Sequence, residues 1–237
     1  MKTASMENLT VGQLVAERPS RSRLFEKLGI DFCCGGKKSL QEACRAKGLD
    51  VGTVVAVLDL DEGGPATAAV DVSQMSLTAL ADHIQQTHHV YLKSELPRLQ
   101  PLIEKIAAKH SDKNPKLVQL PYIYGAFRCE LEAHMAKEEQ VLFPLIRQID
   151  AGSANGACAC GSIENPIGVM EIEHQHAGDA LGLMRGLTDD FFTPPEACNT
   201  YRAVMHALSE LETDLHQHVH KENNVLFPRA IKASQKH

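Results

Sequence analysis

Residues 134–144 read HMAKEEQVLFP, and residues 218–228 read HVHKENNVLFP. The two segments carry histidine, lysine, glutamate and a final Val-Leu-Phe-Pro at the same places, at an offset of 84 residues. The same offset brings His89 to within one residue of His174. Each half of this repeat therefore offers one histidine on a first helix and a His-x-x-x-Glu pair on a second helix. The repeat predicts a duplicated helical hairpin, which makes a four-helix bundle.

Hydrophobic periodicity of the helical kind runs through the whole sequence, and strand-type alternation is not sustained anywhere. We predict an all-α protein with three parts. These parts are a small N-terminal helical domain (1–61), a linker that begins with EGGPAT (62–75) and an up-down four-helix bundle (76–237). Capping residues and prolines predict that the four bundle helices begin at Ser76, Pro115, Pro166 and Pro194. In the N-terminal domain, Thr10, Ser39 and Asp50 are predicted to begin helices.

The composition argues against two classes of partner. No apolar run among the 237 residues approaches the ~20 residues that span a bilayer, and the first ten residues lack the apolar region of a secretion signal. We therefore expect a cytoplasmic protein with no membrane partner. A net charge of -6 provides no field that would attract phosphate groups, so no nucleic acid partner is expected.

Both His-x-x-x-Glu pairs are predicted to face the core, because residues four apart share one face of a helix. At about 100° per residue, apolar side chains surround both pairs. They are Phe127, Leu131, Val141 and Leu145 around the first pair, and Leu211, Leu215 and Val225 around the second. Burying carboxylates and imidazoles costs on the order of several kcal/mol each unless a cation compensates. A single such pair is usually a surface feature, but the repeated, core-facing pair predicts a metal site.

The predicted metal ligands are six side chains: His89, His134, Glu138, His174, His218 and Glu222. If both glutamates bridge two metal ions, each ion receives two imidazole nitrogens and two carboxylate oxygens, and an oxide or hydroxide bridge adds a fifth ligand. This mixture favours iron or manganese over structural zinc, and it leaves an open position for a small diatomic molecule. The apolar phase of the first helix also admits His88 as the ligand, although the repeat spacing favours His89.

Three acidic residues are predicted to accept hydrogen bonds from the outer ring nitrogens of these histidines. Glu130 and Asp214 precede their ligand histidines by one helical turn, and Glu173 is adjacent to His174. The remaining histidines are predicted to lie on solvated faces or in satisfied packing positions. They are His83, His110, His176, His206, His216, His220 and His237.

The seven cysteines are predicted to serve thiol or metal chemistry rather than a disulfide framework. Cys33 and Cys34 lie in a DFCCGG loop that precedes two lysines and a helix start, a setting that favours thiolates and predicts a redox pair. The alternative is a tight turn with two half-buried small residues. Cys158 and Cys160 are interpreted as part of an exposed loop, with metal capture as the alternative. Packing roles are predicted for Cys44, Cys129 and Cys198.

Several motifs together make the sequence resemble the repair-of-iron-centres (ScdA-like) family, a relative of hemerythrin with a cysteine-containing N-terminal domain. They are the DFCCGG loop, the ELP segment at 95–97, the two eleven-residue blocks, VMEIEH at 169–174 and TPPEAC at 193–198. The resemblance covers nearly the whole chain. The family pattern places the first ligand eight residues before Pro97, which is His89. Oxygen-carrying hemerythrins have a further histidine where this sequence has Gly178, and its absence argues against reversible oxygen carriage.

The resemblance implies a hemerythrin-like bundle with two iron ions, in a stress protein that restores iron-sulfur clusters damaged by nitric oxide or peroxide, by donating iron. Nitric oxide binding and reduction at the two-iron site are also attributed to the family. The expected partners are damaged iron-sulfur proteins, with nitric oxide or O₂ as a small ligand. One alternative is a hemerythrin-like sensor or carrier of O₂ or nitric oxide without turnover. Another is an interaction module whose N-terminal domain forms a homodimer.

Overall fold

The computed structural model describes residues 6–61, 72–153 and 162–235. Within these ranges the regular structure is helical, apart from one isolated antiparallel bridge between Thr10 and Ser39. The predicted all-α fold class is therefore confirmed. None of the helices in the described ranges combines the length and the apolar character that a membrane span requires.

From Leu9 to Asp61, the N-terminal unit contains four short helices. They are α1 (Val11–Glu17), α2 (Arg21–Lys27), α3 (Leu40–Lys47) and α4 (Val51–Asp61). Thr10 and Ser39 start α1 and α3 with capping boxes, in which the cap side chain and the side chain three residues later each bind the other's backbone N–H. Asp50 starts α4 by accepting the backbone N–H of Thr53 at 2.8 Å. These starts are the predicted ones.

Four long helices form the bundle, and three of them contain a π turn. Helix α5 (77–110) consists of Leu77–Ile84, the π turn Gln85–His89 and Val90–His110. Helix α6 (120–150) consists of Leu120–Lys137, the π turn Glu138–Leu142 and Phe143–Asp150. Helix α7 is Glu164–Leu187, and α8 (199–234) consists of Asn199–Lys221, the π turn Glu222–Leu226 and Phe227–Ser234.

Two predicted starts of bundle helices are wrong. Helix α6 begins at Leu120 rather than at Pro115, because Pro115–Val118 forms a separate 3-10 turn, and α8 begins at Asn199 rather than at Pro194. The chain before α8 turns sharply, and Phe191 adopts a positive φ of 58° while its ring is buried. The guanidinium of Arg202 donates to the carbonyl oxygens of Pro194 and Ala197. These contacts hold the non-helical segment that contains Pro194 against the first turns of α8.

The N-terminal unit packs against α8 of its own chain. The ring of Phe32 lies edge-on to the imidazoles of His216 and His220, with centroid distances of 6.0 and 5.6 Å. The side-chain amide of Asn224 donates to the carbonyl oxygens of Phe32 and Cys33, both at 3.2 Å. The sequence left open whether this unit docks on its own bundle or on that of another chain, and the structure shows docking within one chain.

Candidate metal centre

Each of the three π turns begins or ends at a predicted metal ligand. Their wide backbone hydrogen bonds run from Val90 to Gln85, from Phe143 to Glu138 and from Phe227 to Glu222. A π turn adds one residue to a helical turn, and such turns frequently occur at functional sites because they re-aim side chains. His89 closes the first π turn, while Glu138 and Glu222 open the other two.

The prediction that Val141 lies in the core is wrong, and the π turn in α6 explains why. Val141 is 54% exposed, whereas its repeat equivalent Val225 is 5% exposed. The extra residue rotates the helix after Glu138, and Leu142 takes the buried position in α6. In α8, helix α1 packs on the equivalent π turn, Glu222–Leu226. The two halves of the repeat therefore share their ligands but not their outer surface.

The structure brings the six predicted ligand side chains together in one buried cluster at the centre of the bundle. All four helices contribute, and none of the six residues is more than 2% exposed. The cluster divides into two groups of four donors. One contains His89 and His218, the other contains His134 and His174, and both contain Glu138 and Glu222. Within each group the candidate ligand atoms lie within 4.8 Å of one another.

Each glutamate directs one oxygen toward each group. The two oxygens of Glu138 lie 3.3 Å from Nε2 of His89 and 3.3 Å from Nε2 of His134. The two oxygens of Glu222 lie 3.1 Å from Nε2 of His218 and 3.1 Å from Nε2 of His174. Each carboxylate therefore reaches both groups of imidazoles.

Hydrogen bonds at Nδ1 orient three of the four imidazoles. His89 donates to Glu139 at 2.8 Å, His134 donates to Glu173 at 2.9 Å, and His174 donates to the side-chain oxygen of Asn223 at 2.9 Å. A ring nitrogen that faces a carboxylate or an amide oxygen carries a proton, so Nε2 is the nitrogen that is left to face the cluster. The Nε2 atoms can therefore bind a cation.

The predicted outer partners lie only partly where the sequence placed them. Glu173 binds an imidazole of the cluster, but that of His134 rather than its neighbour. Asp214 binds His88 at 2.8 Å instead of His218, so this prediction is wrong. Glu130 is exposed and makes no hydrogen bond to a ligand histidine within the described residues, because its side chain lies at the surface of α6.

Glu139 and Asn223 are outer partners that were not predicted from the sequence. Each directly follows a ligand glutamate, at equivalent positions of the repeat. The repeat therefore contained the information that could have identified them. Ideal helical phase hid it, because a neighbour in sequence points about 100° away from the ligand unless the turn is distorted.

The donor set fits a metal ion. Both carboxylate oxygens of Glu138 and one of Glu222 are buried without a hydrogen-bond partner. Two pairs of Nε2 atoms also face each other, at 3.2 Å in one group and 3.0 Å in the other. Lone pairs that converge at these distances repel one another unless a proton or a metal ion lies between them. The cluster is therefore built to hold positive charge.

The pKa values show the same preference for positive charge. Burial lowers the pKa of His134, but Glu138 and Glu222 outweigh it and hold this pKa at about 9. Burial raises the pKa of Glu222, but His218 and His174 outweigh it and hold this pKa well below its ordinary value. The carboxylate stays ionised inside the bundle, so a cation stabilises the folded protein.

A cavity of about 210 Å³ reaches the group formed by His134 and His174. Its apolar lining includes Phe127, Leu131 and Ala177. Glu130, Lys137, Glu173 and His176 also line it, and it is large enough for a diatomic molecule. Small ligands therefore have a route to this side of the cluster.

The thiolate prediction is wrong for Cys33. This thiol is 6% exposed, and its hydrogen bond with Cys34, its burial and the nearby Asp31 raise its pKa well above the ordinary value. Lys37, which was expected to favour the thiolate, binds Glu171 at 2.6 Å instead. A redox role of Cys33 and Cys34 stays a prediction.

The other cysteines differ in their surroundings. Cys44 is buried, as predicted, but Cys129 is exposed, so its packing role is wrong. Cys198 is half-buried at the start of α8, where its sulfur lies 3.3 Å from Nε2 of His110. Cys158 and Cys160, like His237, lie outside the described residues.

Comparisons with known proteins agree with this geometry. Residues 7–61 match ScdA_N, a domain of unknown function, and residues 77–230 match the hemerythrin HHE cation binding domain. The chain is 37% identical over 221 residues to the iron-sulfur cluster repair protein YtfE of Escherichia coli O1:K1. The aligned region covers 93% of this chain and 96% of the relative. YtfE of Citrobacter koseri is 36% identical over 227 residues, or 96% and 98% of the two chains. The resemblance seen in the sequence is confirmed, and the chain belongs to the family of iron-sulfur cluster repair proteins that join an ScdA-type N-terminal domain to a hemerythrin-like metal-binding bundle.

Proposed function

We propose that this protein repairs iron-sulfur clusters damaged by oxidative and nitrosative stress, and that it donates iron from a two-iron centre. The observation that carries the proposal is the pair of four-donor groups that share Glu138 and Glu222. Two iron ions bound there would each have two imidazole and two carboxylate ligands, with both glutamates as bridges. Relatives that are named iron-sulfur cluster repair proteins support the choice of process.

The ligand set supports exchangeable rather than permanently bound iron. Four protein atoms per ion are fewer than the six ligands of an octahedral site. Two of the imidazoles are also tied to groups that water reaches, since Glu139 and Glu173 are partly exposed and pair with Lys93 and Lys137. Movement of either surface ion pair would free a ligand histidine to rotate. We propose that iron leaves the bundle by this route.

The N-terminal unit has a proposed part in the same process. Cys33 and Cys34 line a groove of about 650 Å³ between this unit and the bundle, with their sulfur atoms 4.0 Å apart. We propose that this pair supplies the redox-active thiols. We also propose that the protein works in the cytoplasm and that its partners are damaged iron-sulfur proteins. A homodimer formed through the N-terminal unit stays a prediction.

The test of iron donation follows the metal itself. We expect that protein loaded with isotopically labelled ferrous iron restores an iron-sulfur hydro-lyase inactivated by nitric oxide, and that the label appears in the repaired cluster. Metal-free protein should restore no more activity than buffer does. An equal amount of free ferrous iron is the control for donation by simple release. Recovery with an unlabelled cluster would contradict iron donation.

Binding and reduction of nitric oxide is the second candidate function, and the 210 Å³ cavity beside His134 and His174 favours it. A pair of ferrous ions supplies open coordination positions for a small diatomic molecule. The chain's own contribution is the cavity along Phe127, Leu131 and Ala177, which provides room for a small molecule beside His134 and His174.

Filling this cavity is expected to slow nitric oxide binding. The variant Ala177→Phe places a ring in the cavity, while Ala126→Phe adds the same ring at an exposed position of α6 and serves as the control. Stopped-flow absorbance of the iron-loaded proteins gives the binding rate, and detection of nitrous oxide under anaerobic conditions reports turnover. Unchanged binding in Ala177→Phe would rule out this route. Binding without nitrous oxide would favour the sensor or carrier hypothesis.

A further inference from the structure

The four ligand imidazoles are not held in the same way. Three of them donate a hydrogen bond from Nδ1, as described above. Nδ1 of His218 is buried and has no hydrogen-bond partner in the described part of the chain. An imidazole ligand whose outer nitrogen has no partner can rotate about its Cβ–Cγ bond, unless other contacts fix the ring. His218 therefore needs a different support.

His88 stacks on the ring of His218, which the ring of His89 also meets in a T-shaped contact at a centroid distance of 4.9 Å. The rings of His88 and His218 are nearly parallel, with planes 5° apart and centroids separated by 5.3 Å. His88 is 3% exposed, but its nitrogens are not among the donor atoms that converge on the cluster. Rotation of the His218 ring would require His88 to move. The stack thus restricts His218 in the absence of a hydrogen bond.

His88 is itself fixed at both ring nitrogens. Its Nδ1 lies 2.8 Å from a carboxylate oxygen of Asp214, and its Nε2 lies 2.7 Å from Nζ of Lys221. The carboxylate accepts and the ammonium donates, so a neutral imidazole with its proton on Nδ1 satisfies both bonds. Lys221 is held further by Nε2 of His83 at 3.1 Å. Asp214 and Lys221 thus clamp His88, and both lie on α8. Asp214 is one turn before His218, and Lys221 is one residue before Glu222.

We infer that His88 is a positioning residue for the His218 ligand, and that its clamped ring replaces the Nδ1 hydrogen bond that the other three imidazoles have. Both nitrogens of His88 are occupied by Asp214 and Lys221, which leaves neither available to bind the metal. The inference rests on the proposed two-iron centre. It concerns the ion held between His89 and His218.

Release of iron to a ferrous chelator tests this role in the full-length, iron-loaded protein. Loss of a residue that orients a ligand typically weakens metal binding by about 10–100-fold. We expect His88→Ala to release one of its two ions about tenfold or more faster than the wild type, with the other ion unchanged. His88→Phe, which keeps a flat ring against His218, should behave more like the wild type than His88→Ala does. His206→Ala, at an exposed position of α8, should behave as the wild type.

Spectroscopy provides a readout that general loosening of the bundle would not reproduce. The electron paramagnetic resonance signal of the half-reduced centre should change in His88→Ala and return toward the wild-type signal in His88→Phe. If His88→Ala does not fold, Asp214→Ala removes one end of the clamp and should show the same selective release.

Two results would overturn the inference. One is release of both ions at the wild-type rates from His88→Ala, and the other is equal acceleration of both ions, which indicates general destabilisation. In either case the iron-loaded wild type still supports the proposed function. A wild-type protein that binds no iron overturns the proposed function and the inference together, so the two failures are distinguishable.

Discussion

Replacement of Glu222 by leucine should lower the iron content from two ions per chain to less than one. Glu222 offers an oxygen to each of the two donor groups, so its loss leaves both with two nitrogens and one oxygen. Elemental analysis of anaerobically loaded protein gives the iron content. Iron at a thousand times its dissociation constant stabilises a folded protein by about 4 kcal/mol, and this gain should be lost.

The metal-free form of Glu222→Leu should be no less stable than the metal-free wild type. Leucine replaces a buried carboxylate, and substitution of buried charges by apolar side chains of similar size is often neutral or stabilising. Urea unfolding of both metal-free proteins checks this. The matched control is Glu210→Leu, because His206 and Glu210 form an exposed His-x-x-x-Glu pair on the same helix. Two ions retained by Glu222→Leu would refute the shared-carboxylate arrangement.

The second large effect is expected for Gly36→Ala, at the contact between the DFCCGG loop and α8. A Cβ atom at this position would lie 2.5 Å from the carbonyl oxygen of Phe32 and 2.5 Å from the side-chain oxygen of Asn224. The backbone cannot yield easily here, because the amide of Asn224 is bonded to that same carbonyl. We expect a loss of about 1–3 kcal/mol in the free energy of unfolding, typical of overpacking.

Limited proteolysis reports whether this substitution also releases the N-terminal unit, since undocking exposes new cleavage sites. The control is Gly52→Ala on α4, where the nearest atom to an added Cβ is the Asp50 carboxylate at 3.5 Å. In that exposed helical position alanine should stabilise the protein by about 0.5–1 kcal/mol. Equal stability of the two variants would show that the contact at Gly36 does not hold the units together.

The bundle and its ligands were predictable because the repeat encodes them twice. Each half of the repeat has a His-x-x-x-Glu pair and a first-helix histidine. The six side chains can all face the same interior in only one arrangement of the two hairpins. Capping at Thr10, Ser39 and Asp50 was predictable for a local reason, since each of these side chains binds a backbone group within three residues.

The remaining features depend on contacts between segments far apart in sequence. The pairing of Asp214 with His88 joins α8 to α5, so the one-turn spacing from Asp214 to His218 gave the wrong partner. Local charges suggested a thiolate at Cys33, but its hydrogen bond with Cys34 and its burial raise its pKa, and Lys37 pairs with the distant Glu171. The π turns shift helical phase by one residue, and Val141 was therefore assigned to the wrong face.

The unequal surroundings of the two donor groups bear on how electrons distribute in the centre. The cavity opens toward His134 and His174, whereas His88 and the ammonium of Lys221 lie on the side of His218. A nearby positive charge and a dry, packed environment change the reduction potential of a metal position even when its ligands are the same. The two iron positions of the proposed centre would therefore have the same ligand types in unequal surroundings, and a single added electron would reside on one ion rather than being shared.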